Sequence, residues 1–224
     1  MNNPVNPTGA IWPAETLAHL AQIATRHDLL VIADEIYDDF LYNMEHLPSI
    51  ARYEEMDERT VQVHGFSKTY AMTGFRLGYL RGPRALIEQV QKVHEQIATC
   101  APSVSQHAAL AALRLDHTRH LQAIRAHYSG RLDAVRTACQ GGNIPFIDPG
   151  GAFFLFVDFR DREPNSVRAA EFVLNSCLVA LVPGVAYGAC GEGWLRLSLT
   201  APTDQLCEAV RRIKSADFSR SLPE

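Results

Sequence analysis

No stretch of this sequence approaches the roughly 18 consecutive apolar residues that a membrane-spanning helix requires. Its first residues, MNNPVNPTG, have neither the basic and apolar segments of a secretory signal nor the arginines of a transit peptide. No basic stripe indicates a nucleic-acid surface, and the formal net charge is −4. We therefore expect neither a membrane nor a nucleic-acid partner.

Metal-binding and redox motifs are also missing. The 5 cysteines and 9 histidines form no CxxC, HxH or HExxH pattern. We interpret the thiols as buried cysteines in a reducing cytosol and assign no metal. No low-complexity linker or internal repeat divides the 224 residues, so the length fits one large domain or two small ones.

Helical and strand patterns alternate in the first part of the chain. Residues 13–27 carry apolar side chains at helical spacing, and residues 29–33 form a continuous apolar run. Such a run is typical of a parallel strand buried on both faces. Further strands are predicted at 60–64 and 77–80. The alternation predicts an α/β fold with a parallel sheet, in which ligands bind beyond the carboxyl ends of the strands.

The rest of the chain predicts helices followed by short strands. Helices are predicted at 83–97, 108–115, 121–139, 165–176 and 206–213, and strands at 144–147, 153–159, 179–182 and 194–199. We expect a domain change near residue 120. Residues 1–120 would form the end of a large α/β domain, and residues 121–224 a small α+β domain.

Polar residues follow two of the predicted strands. Asp34 ends one strand, with Tyr37 one helical turn later, and Lys68 follows Ser67 at the turn after the next strand. A lysine amine that is desolvated there has a lowered pKa and becomes a nucleophile. Taken singly, each residue also has an ordinary structural interpretation, such as a helix-capping Asp34 or a surface Lys68.

Five stretches in a fixed order favour the functional interpretation. They are NNPVNPTG at 2–9, ADEIY at 33–37, SK at 67–68, Arg76, and WLRLS at 194–198. Together they resemble the fold-type I aminotransferases of class I/II, which use pyridoxal 5′-phosphate. The resemblance runs over nearly the whole chain. The family has a long N-terminal portion before the first motif, which here follows Met1, so the resemblance implies the C-terminal part of such an enzyme.

The resemblance implies roles around the cofactor ring. Lys68 would be the catalytic residue and form the Schiff base. Asp34 would face the pyridine nitrogen and keep it protonated, so that the ring acts as an electron sink. Asn6 and Tyr37 would donate hydrogen bonds to the phenolic oxygen.

The same resemblance implies anion-binding roles for three residues. Ser67 and Arg76 would bind the cofactor phosphate, and Arg196 the substrate α-carboxylate, since a planar guanidinium forms paired bonds with such groups. The implied reaction is transamination between an α-amino acid and a 2-oxo acid in amino-acid biosynthesis. Lys68, once freed, would move the proton. The full-length enzyme would be a homodimer.

Two alternatives remain open. A pyridoxal phosphate-dependent carbon–sulfur β-lyase of the same fold would carry the same residues, and a truncated remnant would be non-catalytic. In the family, the N-terminal portion also supplies the main phosphate loop and the aromatic that stacks on the ring. We therefore expect the chain alone to bind cofactor weakly, to show little activity and to associate through open sheet edges.

Overall fold

The computed structural model describes residues 1–218. The chain divides into two compact units. The N-terminal unit comprises Met1–Pro4 and Ile11–Arg125, and the C-terminal unit comprises Val5–Ala10 and the residues from Ala126 onward. The division falls within one helix, and the predicted domain boundary near residue 120 stays a prediction.

A three-stranded sheet in the order β1-β2-β3 forms the centre of the N-terminal unit. Its strands are β1 (Val31–Asp34), β2 (Thr60–Gly65) and β3 (Gly78–Arg81). Strands β1 and β2 run parallel, whereas β3 runs antiparallel to β2. The α/β class is confirmed. The sheet is mixed because only the four-residue helix α2 (Phe66–Thr69) and a 3₁₀ turn connect β2 to β3, and a parallel connection needs a longer crossover.

The first residues of the chain lie beside the carboxyl end of β1. Asn2 forms a parallel bridge with Asp34. The Asn3 N–H donates to the Asp34 carbonyl at 2.9 Å, and the Asp34 N–H donates to the Met1 carbonyl at 2.9 Å. The start of the Asn-Pro motif therefore pairs with the end of β1 through an isolated parallel bridge.

Helix α1 (Ala14–Arg26) supplies the core of this unit, as predicted for residues 13–27. It begins directly after Pro13, a residue that suits the start of a helix. Its buried residues share one cluster with residues of β1 and of the segment between β1 and β2, namely Leu17, Ala21, Ala24, Ala33, Ile50 and Met56. Burial of this apolar stripe fixes α1 against one face of the sheet.

The other face of β1 is uncovered in the described chain. Ile32 is 65% exposed and Leu30 is 64% exposed, so the predicted burial of this strand on both faces is wrong. Helix α3 (Arg84–Ala98) has no buried residue, and its Ile97 is 79% exposed. Exposed apolar surface of this extent is typical of a surface that contacts another polypeptide segment.

The remaining helices of the chain follow the predicted order. They are α4 (Ser103–Ala112), α5 (His117–Gly141), α6 (Ser166–Cys177) and α7 (Thr203–Ser215). Helix α4 buries Ala109 against Phe66 and Met72 of the N-terminal unit, next to the turn that carries Lys68. Among the described residues, none of the helices is both long and apolar enough to cross a membrane.

The C-terminal unit contains an antiparallel four-stranded sheet in the order β4-β5-β7-β6. Its strands are β4 (Phe146–Ile147), β5 (Phe154–Asp158), β6 (Val182–Pro183) and β7 (Trp194–Ser198). Helix α6 packs against β7 and α7. The predicted combination of helices and short strands is confirmed, and the structure shows that the strands pair antiparallel.

Gly9 anchors the Asn-Pro motif within this unit. Its carbonyl accepts hydrogen bonds from the Gly150 and Gly151 N–H groups, each at 2.9 Å. The backbone of Gly9 has φ +67°, and a Cβ added there would collide with Pro149. Glycine is therefore required at this position on two grounds, backbone conformation and space.

Candidate active site

Asp34 stands at the carboxyl end of β1, where a ligand of a parallel sheet is expected. Its Oδ1 accepts a hydrogen bond from the Ile36 N–H at 3.2 Å, which orients the carboxylate. Its backbone carbonyl accepts a further bond from the Asn2 side-chain amide at 3.0 Å. Hydrogen bonds therefore hold both the side chain and the backbone carbonyl of Asp34.

Lys68 lies in α2, immediately after β2. Backbone bonds from the Phe66 N–H to the Leu77 carbonyl and from the Met72 N–H to the Phe66 carbonyl, each 3.3 Å, hold this turn. The Lys68 Nζ lies 5.9 Å from the ring centroid of Tyr37, which is only 7% exposed. The amine therefore lies beside a buried phenol.

The two predicted phosphate residues lie close to the lysine in sequence. Ser67 precedes Lys68 in α2, and Arg76 follows the 3₁₀ turn with left-handed backbone angles of φ 50° and ψ 48°. The exposed guanidinium of Arg76 donates through Nη1 to the Thr73 carbonyl at 2.9 Å. That bond curls the side chain back over its own turn.

Arg196 lies on β7, in a strand whose buried and partly exposed residues alternate as predicted. Its Nη1 donates to Asn6 Oδ1 at 2.8 Å. Its guanidinium carbon lies 4.4 Å from the ring centroid of Phe154 and 5.3 Å from that of Tyr187. Two aromatic rings and one amide therefore fix the guanidinium in the C-terminal unit.

One donor of Arg196 is unsatisfied. Its Nε is buried and has no hydrogen-bond partner among the described residues. A buried donor without a partner is costly, so an acceptor supplied by a ligand would be favoured at this point. Burial also raises the pKa of the neighbouring Tyr187, against the opposing effect of Arg196, so that phenol stays neutral.

The two units hold different members of the predicted site. The N-terminal unit contains Asp34, Tyr37, Ser67, Lys68 and Arg76, and the C-terminal unit contains Asn6 and Arg196. The bond between Asn6 and Arg196 was not expected, because the resemblance gave Asn6 to the cofactor ring. Among the described residues, no cluster of His, Cys, Asp and Glu could hold a metal ion.

A polar network that the motifs did not predict lies beside the lysine turn. Gln62 Nε2 donates to Glu35 Oε2 at 2.7 Å, and Glu35 is only 3% exposed. His64 places Nδ1 3.2 Å from Asp38 Oδ2 and Nε2 3.7 Å from Glu35 Oε2. These four side chains line a cleft of about 860 Å³ within the N-terminal unit. The available signal was the polar alternation of Gln62 and His64 in an otherwise apolar strand.

Comparison with known proteins decides the family. The sequence model described as aminotransferase class I and II matches residues 1–213. The chain belongs to this family. Aspartate aminotransferase of Pyrococcus abyssi is 38% identical over 223 residues, which are 99% of this chain and 57% of that protein. Aromatic-amino-acid aminotransferase 2 of Thermococcus litoralis is 36% identical, with the same coverage of both chains.

Solved structures of the family match as well. The aromatic aminotransferase of Pyrococcus horikoshii aligns with a TM-score of 0.90 at 38% identity, over 95% of this chain and 57% of that one. The aspartate aminotransferase of Thermus thermophilus, solved with maleate, aligns with a TM-score of 0.89 at 35% identity, over 96% of this chain and 55% of that one. This chain therefore spans little more than half the length of these relatives.

Proposed function

We propose that this chain forms part of a pyridoxal phosphate-dependent aminotransferase, which moves an amino group between an α-amino acid and a 2-oxo acid. The observation that carries the proposal is the placement of Lys68, Tyr37 and Asp34 at the adjacent carboxyl ends of β1 and β2. Membership of the class I and II family supports the same chemistry. Relatives named for aspartate and for aromatic amino acids support an α-amino acid as substrate.

The residues of the N-terminal unit fit the cofactor. Bound pyridoxal phosphate supplies an electron sink for the bonds of the substrate α-carbon. Lys68 provides the amine that bonds the cofactor and later moves the proton at the α-carbon. Asp34, oriented by the Ile36 N–H, provides the anion for the pyridine nitrogen. Tyr37 provides a buried phenol beside the amine, and we assign it to the ring oxygen.

The residues of the C-terminal unit fit a carboxylate. The guanidinium of Arg196 is held by Asn6 and by two aromatic rings, so little side-chain entropy is lost when an anion binds. Its unsatisfied Nε provides a donor for one carboxylate oxygen. We assign Arg196 to the substrate α-carboxylate. We assign Asn6 to the orientation of Arg196 as well as to the cofactor ring oxygen.

Further assignments complete the proposal. Ser67 and Arg76 bind the cofactor phosphate, and 1–120 and 121–224 belong to the large and the small domain. The enzyme acts as a cytoplasmic homodimer in amino-acid biosynthesis. The exposed apolar residues of β1 and α3 support the presence of further polypeptide against the N-terminal unit.

Covalent trapping tests the central assignment. The purified chain is incubated with excess pyridoxal phosphate, reduced with borohydride and mapped by mass spectrometry. We expect the adduct on Lys68, its loss in Lys68→Ala, and its retention in the control Lys92→Ala on the exposed helix α3. An adduct that maps to Lys92 or Lys214 instead would overturn the proposal. Exchange of amino groups with a 2-oxo acid marks a transferase, whereas release of ammonia and pyruvate from cystathionine would mark a β-lyase.

A further inference from the structure

His64 bridges the carboxyl ends of the two strands that carry the candidate site. It is the penultimate residue of β2, and its ring nitrogens face Asp38 Oδ2 at 3.2 Å and Glu35 Oε2 at 3.7 Å. Both carboxylates belong to the segment that directly follows β1. A neutral imidazole has only one N–H, so both nitrogens donate only in the protonated form.

The position of this bridge matters for the site. Glu35 directly follows Asp34, and its N–H donates to the Val63 carbonyl at 3.0 Å, one residue before His64. Lys68 comes four residues after His64, in helix α2. The bridge therefore joins the two chain segments that carry Asp34 and Lys68.

Neighbouring side chains make the bridge rigid. The His64 ring stacks on the ring of Tyr79 from β3, with centroids 5.3 Å apart and an interplanar angle of 19°. Glu35 is held from its other side by Gln62 Nε2 at 2.7 Å, and Gln62 Oε1 accepts from Arg81 at 3.3 Å. The imidazole is thus stacked on a residue of strand β3, held at Nδ1 by Asp38, and placed at ion-pair distance from Glu35 at Nε2.

We propose that protonated His64 is a positioning residue that ties the carboxyl ends of β1 and β2 together and so holds Asp34 and Lys68 in register. We call the contacts of His64 with Asp38 and Glu35 the clamp, and they depend only on the geometry of the N-terminal unit. The effect of the clamp on cofactor binding rests on the proposed function. His64 touches neither reacting group and acts through the backbone of the two strands.

The charge state of His64 is set by its surroundings. The hydrogen bond to Asp38 raises the pKa of His64 above its ordinary value, outweighing burial, and the charge of Glu35 acts in the same direction. Other titratable or charged groups face the same cleft or contact the ring, namely Asp39, Glu45, His46 and Arg52 from the segment after β1, Tyr79 and Arg81 from β3, and His117 and Arg125 from α5. The clamp is complete while His64 is protonated and the Asp38 and Glu35 carboxylates are ionised, and it is lost as the pH rises through the raised pKa of His64.

Amide hydrogen exchange measures the clamp in the chain without cofactor. The readout is the protection factor of the Glu35 N–H, corrected for intrinsic exchange, between about pH 6 and about pH 9, alongside the NMR titration of His64. We expect protection in the wild type to fall roughly threefold to tenfold across the His64 titration, the scale of a partly buried ion pair. At every pH, His64→Gln should show the low protection of the Glu35 N–H that the wild type reaches only at high pH. The control His19→Gln, on the exposed side of α1, should behave as the wild type.

A second variant keeps the test decisive if His64→Gln does not fold. Asp38→Asn removes the main acceptor and should lower the pKa of His64, with the loss of Glu35 protection moving to the same lower pH. A His64 pKa at or below its ordinary value in the wild type would overturn the proposal. Glu35 protection that does not follow the His64 titration would overturn it equally.

Trapping of pyridoxal phosphate on Lys68 tests whether the clamp favours cofactor binding. At about pH 6 we expect the wild type to trap at least roughly three times as much cofactor as His64→Gln. At about pH 9 both proteins should trap equal amounts, because neither then has the clamp. Equal trapping at both pH values, together with the expected exchange result, would overturn the positioning role and leave the clamp standing. Absence of an adduct on Lys68 in every variant would overturn the proposed function instead.

Discussion

Arg196 and Asn6 are 190 residues apart in the sequence, and Arg196 Nη1 donates to Asn6 Oδ1 at 2.8 Å. The bond joins the Asn-Pro motif to strand β7 within the C-terminal unit. It uses one end of the guanidinium and leaves the buried Nε without a partner among the described residues. The arrangement suits the recognition of a planar anion, because the fork is oriented before the anion arrives.

Arg196→Lys tests this recognition. In the full-length enzyme we expect kcat/KM for amino-acid substrates to fall roughly tenfold to a hundredfold, since lysine cannot form the paired bonds of the guanidinium and charged hydrogen bonds contribute about 1.5–3 kcal/mol. Cofactor binding should be unchanged. Arg160→Lys, whose exposed arginine pairs with Asp158, is the matched control. Unchanged kinetics in Arg196→Lys would exclude the assigned role.

Asp34→Ala tests the partner of the pyridine nitrogen. The variant removes the anion that keeps the ring protonated, so turnover of the full-length enzyme should drop by several orders of magnitude and cofactor should dissociate more readily. Asp34→Asn keeps an acceptor for the Ile36 N–H and separates the loss of charge from the loss of the local turn. Asp28→Ala, which removes an exposed partner of Arg59, serves as control. Near-normal turnover in Asp34→Asn and Asp34→Ala would contradict the assignment.

Local sequence patterns predicted most of the secondary structure. The apolar spacing of α1 and the alternation of β7 are visible in single short windows, and both elements lie where they were predicted. The exposure of Ile32 was not predictable in the same way. An apolar run indicates that a strand is suited to burial, whereas its actual burial depends on which other segments pack against it.

The residues of the candidate site were predicted from motifs, whereas only part of its geometry could be predicted from the sequence. Lys68 lies beside Tyr37, and the motifs assign both residues to the cofactor. The contacts of Arg196 with Asn6 and Tyr187 depend on long-range pairing, which carries no local signal in the sequence. The bridge made by His64 depends in the same way on the parallel register of β1 and β2.

Gly9→Ala tests the anchor of the Asn-Pro motif. Alanine at φ +67° is strained and its Cβ would collide with Pro149, so we expect a loss of about 1–3 kcal/mol in the free energy of unfolding, measured with urea. Gly130→Ala is the matched control, since nothing lies within 4 Å of its added Cβ in helix α5. That change should stabilise the chain by about 0.5–1 kcal/mol. Equal stabilities of the two variants would show that the anchor is unimportant.

The Cys139 thiol should make the free energy of unfolding depend on pH in the alkaline range. Burial raises the pKa of its thiol from 9.0 to about 11, with a smaller contribution from Cys207. The unfolded chain therefore loses the thiol proton first, and the resulting stability, complete below about pH 9, is lost as the pH rises toward about pH 11. Chemical unfolding at several pH values should show a shallower alkaline decline in Cys139→Ala than in the wild type. Parallel declines would contradict the raised pKa.

The chain as it stands should be a poor enzyme that self-associates. Strand β3 ends the three-stranded sheet with an unpaired edge in the described chain, and Ile32 and Ile97 expose apolar surface. We therefore expect weak cofactor binding, little transaminase activity, and a sedimentation coefficient that rises with protein concentration. Ile97→Glu should reduce the association because a charge on α3 opposes burial of that face, whereas Lys92→Glu on the same helix should not. A soluble, yellow and active monomer would contradict this prediction.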